Sequence, residues 1–240
     1  MTIATRSVPY QDGDVRLTGF LAWDESAPGT RPGVLLIHGG GGLDDHARDQ
    51  ARRYAGLGYA VLAGDMFGEG VAGDREQTMA LLASLRDDPD RLVQRGQVAL
   101  RALGSCPEAS ACRGAVGFCF GGMAVLTLAR SGADLPGVVS MHGALKTNRP
   151  ARPGVVRARV LACHGALDPH VPRADVDAFI EEMDSAEVDY QLIVYGGAMH
   201  GFTHTRALPG AIRGVEYHER TDRRSFAAAQ AFFAELAATG

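Results

Sequence analysis

The sequence predicts an α/β fold, a mostly parallel central sheet with helices on both faces. Three observations lead there. Short apolar runs such as Gly33-Val34-Leu35-Leu36-Ile37 have the continuous hydrophobicity of strands buried on both sides. Between them lie stretches whose apolar residues repeat at helical spacing, the alternation that builds a parallel sheet. Glycines, aspartates and histidines gather just past the apolar runs, where such sheets collect their functional groups.

Residues 5–10 and 15–22 are two strands joined by Gln11-Asp12-Gly13-Asp14, an Asp-Gly hairpin signal, and form an antiparallel edge. The run 33–37 ends in His38-Gly39-Gly40-Gly41-Gly42. A helix begins near Asp45, with Ala47, Ala51, Tyr54 and Ala55 on one face and Gly58 past its end as a C-cap. Residues 59–63 form the next strand, closed by Asp65. Asp74 with Gln77 resembles a capping box and opens a helix toward Leu85. Asp87-Asp88-Pro89-Asp90 breaks that helix, and a second keeps Leu92, Gly96, Ala99, Leu100 and Leu103 in phase. The run 114–116 is a short strand, followed by a Gly-rich turn and a helix over 123–130. Strands at 137–141 and 160–163 flank a Pro/Arg-bearing loop, 147–154. Pro172 starts a helix carrying Val176, Phe179, Ile180 and Met183; strand 190–195 and helix 225–236 complete the chain.

Composition narrows the function classes. The 240 residues are 46% hydrophobic and 22% charged, ordinary for a globular enzyme, and no linker or repeat divides them, so a single domain over 1–240 is expected. Twenty-four Lys+Arg against 28 Asp+Glu leave −4, with basic residues scattered apart from Arg52-Arg53 and Arg223-Arg224, which argues against a nucleic-acid partner. No basic start leads into an apolar stretch, and no apolar run nears the ~18 residues that span a bilayer. A cytoplasmic protein with no membrane partner is expected. Cys106, Cys112, Cys119 and Cys163 show no CxxC pair and no grouping with histidine. Neither a disulfide framework, a metal site nor a cofactor is expected.

The chemistry centres on Gly117-Phe118-Cys119-Phe120-Gly121-Gly122. Gly-x-nucleophile-x-Gly between a strand and a helix is a nucleophile elbow: the chain reverses sharply, and the central side chain is exposed above the sheet. The glycines remove Cβ atoms that would collide where strand and helix cross. A thiol there sits at a helix N-terminus, where the dipole favours thiolate. Two partners follow strand ends in chain order: Asp168, in His164-Gly165-Ala166-Leu167-Asp168-Pro169-His170, and His200, in Gly196-Gly197-Ala198-Met199-His200-Gly201-Phe202. Nucleophile, acid, histidine is the order of the α/β-hydrolase triad. A thiol with an ordinary pKa near 8.5 needs a base to form thiolate at neutral pH; His200 supplies it and Asp168 orients the imidazole. The oxyanion formed on attack requires backbone donors, expected from Phe120 and from Gly39 or Gly40.

With these motifs the sequence resembles the dienelactone hydrolase family of α/β-hydrolases, from about Val8 to the last helix. The cysteine elbow, the segment 165–172 and His200-Gly201-Phe202 carry the likeness, with Leu43-Asp44-Asp45-His46 and Gly64-Asp65-Met66-Phe67-Gly68 in support. The resemblance implies that Cys119 is nucleophile, His200 base and acid, and Asp168 its orienter. Many relatives carry a glutamate at the position of Gly39, and dienelactone-cleaving members place an arginine where this chain has His204. Small neutral esters or lactones are therefore expected as substrates. Phe67, Phe118 and Phe202 are candidate pocket residues, as is His204; His38, His142 and His164 are expected as framework residues, with a pocket role open for His142. Three alternatives stand beside this reading: metal-independent phosphotriester hydrolysis at the same site, a non-catalytic small-molecule receptor, and a redox sensor pairing Cys119 with Cys163.

Overall fold

The structure, a computed structural model, describes residues 1–238 of the chain, in which strands and helices mostly alternate after three opening strands. Its packing divides into two units, Met1–Val116 and the described residues from Gly117 on.

In the first unit, β1 (Ile3–Asp12) and β2 (Val15–Asp24) form the expected antiparallel hairpin, turning at Gly13 with φ +58°. β2 pairs antiparallel with β4 (Ala60–Gly64), which pairs parallel with β3 (Arg31–Ile37). Val34 to Ile37 are wholly buried, as a continuous apolar strand requires. α1 (Asp45–Ala55) is capped by Asp44, whose carboxylate accepts from the Ala47 N–H. α2 (Arg75–Asp87) is capped by Asp74 through the Gln77 N–H, and α3 (Pro89–Gly104) by Asp88 through the Arg91 N–H. These bonds satisfy donors that a helix start leaves without partners, each contributing about 1 kcal/mol. β5 (Ala109–Phe118) follows.

In the second unit, α4 (Phe120–Arg130) leads to β6 (Gly137–Met141) and β7 (Arg159–Gly165). α5 (Arg173–Ser185), β8 (Tyr190–Tyr195) and α6 (Glu219–Ala238) complete it. β6, β7 and β8 pair in parallel. Gly137 admits α6 to the sheet, since a Cβ there would lie 2.5 Å from Leu236 Cδ1. Arg130 at the end of α4 is buried against Glu182 of α5, with two N···O contacts of 2.8 Å. The first unit sets its strands in the order β1-β2-β4-β3 and the second in the order β6-β7-β8. Apart from those made by β1 and β2, these pairings are parallel, the α/β arrangement that the strand and helix alternation predicts.

Several boundaries differ from expectation. β5 starts at Ala109 rather than 114, because Ala109 to Arg113 carry no hydrophobic period that marks a strand. α6 starts at Glu219 rather than 225: its first turns read Glu-Arg-Thr-Asp-Arg-Arg, yet Thr221 and Asp222 are buried. α1 ends at Ala55 with Gly56 as its cap, and Gly58 instead adopts φ +94° in the turn before β4. α4 begins at Phe120 rather than 123, directly after Cys119.

Candidate active site

Cys119 stands between β5 and α4 with φ +54° and ψ −112°, a backbone conformation rare for a residue with a side chain. Such strain persists only where the surroundings hold it. Its N–H donates to Met141 O at 3.0 Å and to His142 Nδ1 at 3.2 Å, and its C=O accepts from Met123 N at 3.2 Å. The flanking glycines act as steric logic requires. A Cβ on Gly117 would lie 2.0 Å from Gly121 O, and one on Gly122 would lie 2.8 Å from Gly143 Cα. The thiol is half-buried at the N-terminus of α4. Phe120 is the first residue of that helix.

His200 and Asp168 come together as their positions after β8 and β7 predict. His200 Nδ1 lies 2.8 Å from Asp168 Oδ2, and the carboxylate side chain has no solvent exposure. Asp168 Oδ1 accepts from His170 N at 2.8 Å. Burial pulls the Asp168 carboxyl up, but the His200 bond and charge, with the His170 N–H, outweigh it and hold the group below its ordinary value. For His200, burial opposes the charged ring; the hydrogen bonds it donates to Asp168 and to the Cys119 sulfur, with both their charges, overcome it and push the imidazole up to about 10. Nδ1 is engaged by Asp168, which leaves Nε2 to face Cys119. The His200 ring thus lies between the Asp168 carboxylate and the Cys119 sulfur. The backbone of His200 is pinned as well: its N–H donates to Gly214 O and its C=O accepts from Glu216 N, both at 3.0 Å.

Other predicted residues fall into two groups. In the second unit, Phe118 and Phe202 are almost wholly buried, their ring centroids 6.2 and 4.9 Å from that of His142. His204 is partly exposed, and its Nδ1 accepts from Arg206 N at 3.3 Å. In the first unit, His38 is fully buried; its Nδ1 donates to Gly39 O at 2.7 Å and its Nε2 accepts from Met66 N at 3.1 Å. Burial keeps that ring low in pKa, hence neutral, which suits a framework role. Phe67 stands edge-on to His38 with centroids 4.6 Å apart, and Gly39 and Gly40 occupy the loop after β3. Gly40 borders Leu82, 3.2 Å from where a Cβ would stand. Cys163 sits at the end of β7, its thiol 3.8 Å from the Tyr195 hydroxyl and pushed up to about 12 by burial. Sequence reasoning did not single out Thr203, whose Oγ1 lies 2.8 Å from His142 Nε2. The only signal for this pair was that His142 follows a strand end, and threonine carries no motif of its own.

The chain is similar to several known proteins. The solved structure titled "m3DLH" is 40% identical and superposes with a TM-score of 0.91 over 98% of this chain and 99% of its own. A metagenomic dienelactone hydrolase-like promiscuous phosphotriesterase, P91, is 37% identical with a TM-score of 0.90 and the same coverage. A Salmonella typhimurium protein provisionally named carboxymethylenebutenolidase is 28% identical over 207 residues, 82% of this chain and 76% of its own. The model of the dienelactone hydrolase family matches residues 17–237, nearly the whole sequence, and the chain belongs to that family.

Proposed function

We propose that this chain hydrolyses small neutral esters or lactones through a covalent intermediate on Cys119. The observation that carries the reading is the His200 imidazole held between the Asp168 carboxylate and the Cys119 sulfur. The Cys119 thiolate attacks the carbonyl carbon, forming a C–S bond and an oxyanion. Donors for that oxyanion are the Phe120 N–H and, by the family resemblance, one from Gly39 or Gly40; each is worth about 3 kcal/mol in the transition state. As the C–O bond breaks, His200 Nε2–H passes its proton to the departing alkoxide, which in a lactone stays attached as a hydroxyl. Water then gives a proton to His200 and attacks the thioester, releasing the acid and restoring the thiolate.

Rapid quench with an activated aryl ester followed by mass spectrometry tests this. An acyl adduct on the Cys119 peptide is expected, and Cys119→Ala loses about 10³-fold or more in rate. Modification only at other residues, or an unchanged rate in the alanine variant, overturns the reading.

The likeness to P91 favours a second reading, phosphotriester hydrolysis at the same site. A soft thiolate can attack phosphorus, and the developing charge uses the same donors. Turnover of an aryl phosphotriester that survives EDTA supports it; loss with EDTA, or no turnover at all, rejects it.

A further inference from the structure

Of the three described non-glycine residues with positive φ, two belong to this site: Cys119 at +54° and His142 at +43°. His142 directly follows β6, and its N–H is fixed to Cys163 O at 2.8 Å. Its side chain is buried and reaches in two directions. Nδ1 accepts from the Cys119 backbone N–H at 3.2 Å, so the ring's own hydrogen is on Nε2, which donates to Thr203 Oγ1 at 2.8 Å. Thr203 lies three residues past His200 on the same loop. The His142 ring also stands edge-on to His200, with centroids 5.2 Å apart and planes at 64°, and edge-on to Phe202 at 4.9 Å.

We propose that His142 is a positioning residue that, with Thr203, couples the nucleophile elbow to the His200 loop and sets the register between Cys119 and His200. This rests on the thiol-hydrolase reading above. The reasoning is geometric. Covalent catalysis tolerates little error between nucleophile and base, and a displacement near 1 Å can cost about 10²-fold. Asp168 fixes the His200 ring from one side, but nothing in that bond refers the ring to the elbow. His142 supplies the reference: one ring nitrogen holds the strained Cys119 backbone, the other holds the loop that carries His200. Both bonds are made by one neutral tautomer, so neither can be kept by reversing the other. A histidine held in left-handed backbone is strained, a conformation that a plain core residue at this turn does not require.

The test uses Thr203→Val, which removes only the hydroxyl, and His142→Asn, whose amide oxygen replaces the Nδ1 acceptor and whose backbone tolerates positive φ. The probes are steady-state hydrolysis of a short aryl ester and the pH profile of Cys119 alkylation by iodoacetamide. Thermal melts check the fold. Both variants are expected to lose about 5- to 20-fold in kcat with KM within about 2-fold, the split that marks a transition-state defect. Their alkylation profiles are expected to move to higher pH, toward an ordinary thiol. His142→Asn keeps the elbow bond but not the Thr203 bond, so matching defects in the two variants support coupling. Wild-type kcat and alkylation profiles in folded variants overturn it. Cys119→Ala run alongside separates the two claims: an active alanine variant refutes the function, whereas a dead one with normal His142 and Thr203 variants refutes the coupling alone.

Discussion

Replacing Asp168 by asparagine tests the electrostatics of the triad while keeping its shape. Both carboxylate oxygens are in use: Oδ2 faces His200 Nδ1 and Oδ1 accepts from His170 N, each at 2.8 Å, and the side chain is closed to solvent. Asparagine has one oxygen for these two donors, so an NH2 must face the other. One charge-assisted bond, about 1.5 to 3 kcal/mol, is lost, and a buried donor is left facing a donor at a further cost of about 1 to 3 kcal/mol. Taking a total of about 3 to 4 kcal/mol in the transition state, kcat/KM falls about 10²- to 10³-fold. The pH response shifts too. With its carboxylate the His200 ring is raised to about 10, so its protonation adds stability that is complete below about 6.5 and fades as pH rises through about 10. Without Asp168 the folded value drops, and that window closes at lower pH. Asp168 itself is held below its ordinary value, so its contribution is present above about 3.8 and is lost as pH falls through the folded value. The assay is kcat/KM for wild type and Asp168→Asn on a short aryl ester between pH 5 and 10, with melting temperatures over the same range. A folded variant with the wild-type rate and profile refutes the triad assignment.

Other predictions follow from packing and exposure. Gly117→Ala places a Cβ 2.0 Å from Gly121 O, so the elbow backbone must move; a loss of about 3 kcal/mol or more by denaturant melt is expected, together with loss of activity. Glu182→Ala leaves the Arg130 guanidinium, its side chain 2% exposed, without its carboxylate, and a loss of about 3 to 5 kcal/mol in the same melt is expected. Peptide mapping after brief iodoacetamide treatment at neutral pH is expected to find Cys119 labelled and Cys163 intact, since burial pushes the Cys163 thiol up to about 12. Rapid labelling of Cys163 contradicts the buried, neutral thiol that also argues against a Cys119–Cys163 redox pair.

By itself the sequence determined the alternation of strands and helices, the antiparallel edge, the α2 cap and the order Cys119, Asp168, His200. These features are written locally. Continuous apolar runs, Asp-Gly and Asp-x-x-Gln signals and Gly-x-Cys-x-Gly each state a conformation within a few residues. Local signals failed where burial overrides composition, as in the polar first turns of α6, and where small, largely unburied residues still join a strand, as in the opening of β5. Only the tertiary structure decided that His142 and Thr203 meet. The two are 61 positions apart, and no periodicity links a histidine after β6 to a threonine in the loop after β8. The same holds for the state of His200. A histidine's charge depends on which groups face each ring nitrogen in a buried setting, and here those groups come from the turn after β7 and from the elbow. The chain lists Cys119, Asp168 and His200 in order, but folding sets the distances between them, and those distances govern proton position and strain.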